Sequence, residues 1–253
     1  IAEAIDAFRN GRILIVVDDE DRENEGDFVF AAEHATPEKI NFLATHGRGL
    51  ICVPASLERL KQLDLSPYPA EANTALMGTN FTISVDARDN VTTGISVRDR
   101  CQTVRVFASP KSHPSDLVRP GHVFPIGAQV GGVLARAGHT EGTVDLCNLA
   151  GLEPAGVLCE IMREDGEMAR LPDLRLLSER FALPLITIKD LIAYRRRTEK
   201  LVRRIVTTDL PNEFGLWKMT LYEDIVNEEL HVAVTMGEID ERPILVRMHS
   251  QCF

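Results

Sequence analysis

Ile13-Leu14-Ile15-Val16-Val17 runs directly into Asp18-Asp19-Glu20-Asp21-Arg22-Glu23-Asn24-Glu25-Gly26-Asp27, which gives way to Phe28-Val29-Phe30-Ala31-Ala32. The first apolar run is β-branched at four of its five positions, the pattern of a strand buried on both faces. The acids therefore emerge at the end of a buried strand and before a second core element. Carboxylates crowded there repel one another, and a divalent cation offsets that repulsion most simply, leaving Arg22 for an anionic substrate group. A solvated acidic loop is the alternative, but Gly26 permits a tight turn and apolar segments flank the run on both sides. A calcium loop fails on spacing. With Asp19 as its first position, Asn24 stands where the turn glycine belongs and Phe30 where the bidentate glutamate belongs.

The chain has 253 residues and a formal net charge of -10. That length allows a full core of about 200 residues with an appendage. The acidic balance argues against nucleic acid or an anionic membrane as the main partner. No apolar run reaches the ~18 residues of a membrane span, and the amphipathic Ile1–Arg9 lacks the apolar region of a secretory signal. The 5 cysteines, at scattered spacings without a Cys-x-x-Cys pair, fit a reduced, cytoplasmic protein.

Outward from the acidic run, a helix is expected at the N-terminus. Another starts at Thr36-Pro37-Glu38, with threonine as cap and proline in the first turn. Strands are expected at 50–53, 81–85, 104–107, 156–161 and 184–187, and helices at 57–63, 140–150, 173–182 and 188–200. Residues 111–132, rich in Gly and Pro, read as a long functional loop. Strands and helices interleave without a strict βαβ rhythm, so the expected fold is α/β of the α+β type: a mixed sheet flanked by helices. After Arg195-Arg196-Arg197 the composition shifts, and strands at 205–207, 217–222, 231–235 and 244–248 predict a small β-rich segment. The boundary is set at 200/201.

Three more clusters carry chemistry. Arg136-Ala137-Gly138-His139-Thr140-Glu141-Gly142 has the parts of a phosphate site: a fork of donors, a glycine allowing close approach and a helix start. It matches neither nucleotide-binding glycine fingerprint. Arg119-Pro120-Gly121-His122-Val123-Phe124-Pro125 fixes an imidazole between prolines. Glu160 ends Gly156-Val157-Leu158-Cys159, a buried strand whose tip suits a carboxyl to general acid or base work. Among the cysteines, Cys52 is the exception to a plain core reading, because it closes a strand-like run.

The run 18–27, the loop 119–125, the segment 131–141 and the stretch 154–160 together closely resemble the 3,4-dihydroxy-2-butanone 4-phosphate synthases of riboflavin biosynthesis, in order and across most of residues 1–200. The resemblance implies a magnesium- or manganese-dependent conversion of D-ribulose 5-phosphate to L-3,4-dihydroxy-2-butanone 4-phosphate and formate, by homodimers with active sites at the interface. It makes Glu23 and His139 metal ligands. Arg22, Asp27 and Cys52 become substrate contacts, and Arg136, Ala137, Gly138, His139 and Thr140 hold the phosphate. His122 and Glu160 fall on essential catalytic positions, with Asp18 and Glu25 as further proton carriers. The chemistry suits such a set: enolisation, dehydration, skeletal rearrangement and loss of one carbon need an electrophile and at least two proton carriers.

Residues 203–253 resemble the opening of GTP cyclohydrolase II, through Pro211-Asn212-Glu213-Phe214-Gly215 and Val246-Arg247-Met248-His249-Ser250-Gln251-Cys252. In that family the cysteine is the first of three thiolate zinc ligands. One thiolate cannot hold a catalytic zinc, so cyclohydrolase activity is not expected of the polypeptide as it stands. Two other readings remain for the whole: a different metal-dependent sugar phosphate isomerase or aldolase, or a silent scaffold that regulates a riboflavin enzyme.

Overall fold

The computed structural model describes residues 1–250. Residues Ile1–Glu199 form one compact unit and those from Lys200 onward another. In chain order the first unit contains α1 (Ala2–Arg9), β1 (Leu14–Val17), β2 (Gly26–Ala31), α2 (Pro37–Phe42), β3 (Cys52–Ser56), α3 (Leu57–Gln62), β4 (Asn80–Phe81) and β5 (Val85–Ala87). It continues with α4 (Val97–Ala108), β6 (Leu117–Ala128), α5 (His139–Ala150), β7 (Gly156–Glu160), α6 (Leu171–Phe181), β8 (Leu185–Thr187) and α7 (Ile188–Thr198).

The strands form one mixed sheet in the order β4-β6-β3-β7-β2-β1-β8, with β5 also paired to β6. Pairing of β1 with β8 and of β3 with β6 is parallel, and the other pairings are antiparallel. Alternation along the strands sorts the core into two layers. Ile15, Val17, Phe28, Phe30, Val157 and Cys159 face a layer completed by α2, α4 and α6. Leu14, Val16, Val29, Ala31, Cys52 and Leu158 face the opposite layer, completed by α1, α5 and α7. The expected mixed sheet flanked by helices is thus observed, and burial on both faces explains why β1 shows no polar alternation. Each fully buried large side chain contributes roughly 1.5–3 kcal/mol.

Several local expectations need correction. Residues 104–107 look like a strand because Val-Arg-Val-Phe alternates, but they lie in α4. Ser96 caps that helix by accepting from the Asp99 amide at 3.1 Å, and Cys101, Val104 and Phe107 recur at helical spacing on its buried face. The Gly/Pro-rich stretch 111–132 is no long loop, since most of it is β6. Pro125 has no N–H to give the ladder, but its carbonyl takes part, accepting from Thr82 N at 3.0 Å. The strand expected at 50–53 is displaced to Cys52–Ser56, so Cys52 opens a strand rather than closing one, and the strand expected at 81–85 is split between β4 and β5.

The second unit contains β9 (Val202–Asn212), β10 (Gly215–Asp224) and β11 (Leu230–Met236), an antiparallel sheet in the order β11-β10-β9. Asn212 shapes the β9–β10 turn, its Oδ1 accepting from Phe214 N at 2.9 Å and Trp217 Nε1 at 3.1 Å. Residues 244–248 are not a strand, contrary to expectation. Cys252 lies outside the described residues. Among those residues Cys52, Cys101, Cys147 and Cys159 are free and buried, and no helix is long and apolar enough to cross a membrane.

Candidate active site

The acidic run forms the β1–β2 connection, and Asp18 organises it from within. One carboxylate oxygen of Asp18 accepts from Glu25 N at 2.8 Å. The other accepts from Glu23 N at 3.1 Å and Arg22 Nη1 at 2.8 Å. Asn24 takes a left-handed conformation, φ 55°, which asparagine tolerates better than most residues. From outside, Arg170 donates to the carbonyls of Glu23 and Asn24. Arg22 also meets Glu23 Oε2 at 2.9 Å, so it bridges two acids of its own loop.

Strand alternation decides where the remaining acids point. Asp27 shares its face of β2 with Val29 and Ala31, and Glu160 shares its face of β7 with Leu158, which is the α5 side of the sheet. Asp27 and Glu160 are also direct cross-strand partners. Two carboxyls so opposed resist joint ionisation. Burial above all, with Glu160, Glu23 and Glu25 adding and His139 opposing, pushes Asp27 up to about 7. Glu25 is raised as well, by burial and then by Glu23. Glu160 itself accepts from Leu50 N at 2.8 Å.

His139 opens α5 and is buried over this pair. Its Nδ1 lies 3.7 Å from Glu23 Oε2 and 3.8 Å from Asp27 Oδ2. Burial works against its positive charge, but Asp27, Glu23 and Asp18 outweigh it and raise His139 to about 9. The nearby His139 imidazole, helped by Arg22 and opposed by burial, lowers Glu23 to about 2. The other ring nitrogen, Nε2, is buried without a hydrogen-bond partner.

Asp18, Glu23 and His139 each offer one ligand atom, and those atoms lie within 4.8 Å of one another. Two hard oxygens and an imidazole, with a half-satisfied histidine among them, fit magnesium or manganese better than a soft-ligand metal. Beside them, the N-terminus of α5 has Gly138 as cap and no side-chain acceptor on its first amides, the arrangement of an anion site. Arg136 stands at its edge but is partly committed. Its Nη1 meets Glu141 Oε2 at 2.7 Å, and its Nη2 donates to Met77 O at 3.0 Å and Thr79 Oγ1 at 3.1 Å.

Arg22, Glu23, Glu25, Asp27, Arg136, His139, Thr140 and Glu160 line one cavity of about 140 Å³, floored by Phe81, Ile126 and Leu158. Cys52 lies on the same face of the sheet, fully buried, and burial followed by Glu160 and Asp27 drives its thiol well up. His122 is not among the lining residues. A larger groove, about 420 Å³, runs past His46, Arg48, Leu176 and Arg180. Glu23 and His139, two of the three possible metal-binding side chains, line the smaller one.

A family profile described as 3,4-dihydroxy-2-butanone 4-phosphate synthase matches residues 2–194. The chain belongs to that family. A second profile, GTP cyclohydrolase II, matches residues 203–253. Riboflavin biosynthesis proteins RibBA of Aquifex aeolicus and Bacillus subtilis are each 54% identical over the whole chain, which spans 63% of their length. The crystal structure of RibBX, a two-domain 3,4-dihydroxy-2-butanone 4-phosphate synthase from A. baumannii, is 45% identical with a TM-score of 0.83. That match covers 94% of this chain and 70% of that one. A 3,4-dihydroxy-2-butanone 4-phosphate synthase in complex with two magnesium ions is 42% identical with a TM-score of 0.75, covering 78% of this chain and 96% of that one.

Within this family member, the residues from the acidic run, the segment 136–140 and Glu160 converge, although they are far apart in sequence. Sequence reasoning missed Asp18 as a third ligand candidate; its place directly after Val17, the last paired residue of β1, was the available signal. It also missed Thr79 and Phe81, which no motif marked.

Proposed function

We propose that the chain converts D-ribulose 5-phosphate to L-3,4-dihydroxy-2-butanone 4-phosphate and formate, with magnesium or manganese, as a cytoplasmic homodimer. The observation that supports this most strongly is the meeting of Glu23, Asp27, Glu160 and His139 in one cavity beside the uncapped start of α5. A divalent ion held by Glu23 and His139, with Asp18 nearby, would supply the electrophile for adjacent sugar oxygens. The phosphate fits the first-turn amides of α5 at His139 and Thr140, with Arg22 and Arg136 at its rim. Asp27, raised to about 7, can both give and take a proton at neutral pH, and it stands opposite Glu160. Asp27 and Glu160 thus serve as the inner proton carriers. Asp18, with both oxygens engaged in the loop, instead holds Glu23 and Arg22 in place.

The lining of the cavity in one chain supports the homodimer reading. The cavity is smaller than the ~300 Å³ at the lower end of small-molecule pockets, and His122 does not line it. A second subunit that brings its own His122 to the opening would supply both wall and base. Co-expressed Glu23→Gln and His122→Ala chains are then expected to recover about a quarter of wild-type turnover, since half the dimers are mixed and each of these keeps one intact site. Recovery no greater than either parent would mean that each site is built within one chain. Incubation with ribulose 5-phosphate tests the reaction itself. Formate that needs the divalent ion and vanishes with EDTA supports the synthase; a different sugar phosphate product or no turnover overturns it.

A further inference from the structure

His122 projects from β6, and the group that fixes it lies on β5. Asp86 is buried and holds His122 twice: its Oδ1 accepts from the His122 backbone amide at 2.9 Å, and its Oδ2 lies 2.8 Å from Nδ1 of the ring. The irregularity in β5–β6 pairing falls between Val85 and Asp86, where it turns the carboxylate toward the imidazole. A third segment covers the pair. Gly94, at φ +92°, lies so close that a Cβ there would fall 2.0 Å from Asp86 Oδ2 and 2.6 Å from His122 Nδ1. That segment is itself anchored by Asp99, which accepts from Thr92 Oγ1 at 2.7 Å and Gly94 N at 3.1 Å.

The result is asymmetric. The Nδ1 side of the ring is covered and bonded, while 43% of the His122 side chain remains exposed and its Nε2 makes no hydrogen bond among the described residues. An ionised carboxylate only accepts, so the imidazole must donate from Nδ1, leaving Nε2 bare when the ring is neutral.

We infer that Asp86 is a positioning residue for His122, holding the imidazole as its Nδ1–H tautomer so that the exposed Nε2 receives the substrate's proton. This rests on the proposed role of His122 in proton transfer. A C–H or O–H bond of the sugar breaks, its electron pair stays on the sugar as an enolate or alkoxide, and the proton bonds to Nε2; the ring becomes an imidazolium, and Asp86 stabilises its charge without taking the proton.

The test begins on the unmodified enzyme. In ¹⁵N spectra of labelled histidine, at a pH where imidazole is neutral, His122 is expected to be protonated at Nδ1 and bare at Nε2; the opposite tautomer overturns the inference. In Asp86→Asn the amide would donate to Nδ1, so the proton should move to Nε2. Turnover should then fall roughly a hundredfold with KM changed by less than about threefold, and His122→Ala should add little to that loss. Wild-type kcat in Asp86→Asn would overturn the positioning role. Full turnover in His122→Ala would instead remove the reading on which it rests, while the tautomer result stood. Should Asp86→Asn fail to fold, the wild-type tautomer still decides.

Discussion

Glu23→Gln is expected to lose turnover and divalent-ion binding together. The variant keeps the shape of the side chain and its reach toward His139 but removes the charge, which the site otherwise preserves down to about 2. Substitutions behind a metal ligand already cost about 10–100-fold in affinity, so loss of a ligand itself should cost at least a hundredfold. Turnover should drop by about a thousandfold, or roughly 4 kcal/mol of barrier. Titration calorimetry and formate release check the two halves separately. Normal metal-dependent turnover in the variant would sink the ligand assignment.

The same site predicts the pH dependence of ion binding. Without an ion, His139 is raised to about 9 and is mostly imidazolium at neutral pH. A ligand imidazole must be neutral, so binding expels a proton, and affinity should climb about tenfold per pH unit up to about 9 before levelling. An affinity flat from pH 6 to pH 9, on the order of the range this shift spans, would contradict the arrangement.

Gly49→Ala should damage both fold and site. A Cβ there would stand 2.4 Å from Glu160 Oε2, 2.7 Å from Glu160 O and 2.8 Å from Glu160 N. Two of these atoms are backbone in a central strand and cannot swing away. The expected cost is about 1–3 kcal/mol of stability, as for an overpacked core, read as a lower urea midpoint. Because Leu50 N–H also holds Glu160 Oε2 at 2.8 Å, the carboxyl must shift as the loop does. A displacement near 1 Å is enough for roughly a hundredfold loss of turnover. Retention of both midpoint and kcat would show that Gly49 and Glu160 are less tightly joined than their geometry requires.

How much of this was legible in the chain depends on the range of the forces involved. The helix at Thr36-Pro37 was readable because a cap and an early proline are local signals, and β1 because its apolar run admits only a buried strand. Residues 117–128 were not, because Pro120 and Pro125 lack the N–H a strand interior uses, and the pairing with β3, β4 and β5 that makes this stretch a strand joins distant segments. Glu23 and His139 were marked by motif. The elevated Asp27 was not, because its setting arises from pairing with Glu160, a partner more than a hundred residues later. The commitment of Arg136 to Met77 and Thr79 was equally hidden, since these are contacts between distant segments.

That pairing of Asp27 with Glu160 carries one more consequence. Both carboxyls reach the cavity only because their strands align so that each points to the α5 side. A slip of one residue along β2 would turn Phe28 and Phe30 into the α5 layer and send Asp27 to the far face. The apolar residues that lock this alignment are therefore what keep two acids within reach of one substrate. An insertion or deletion inside β2 or β7 would silence the site without altering a single polar side chain.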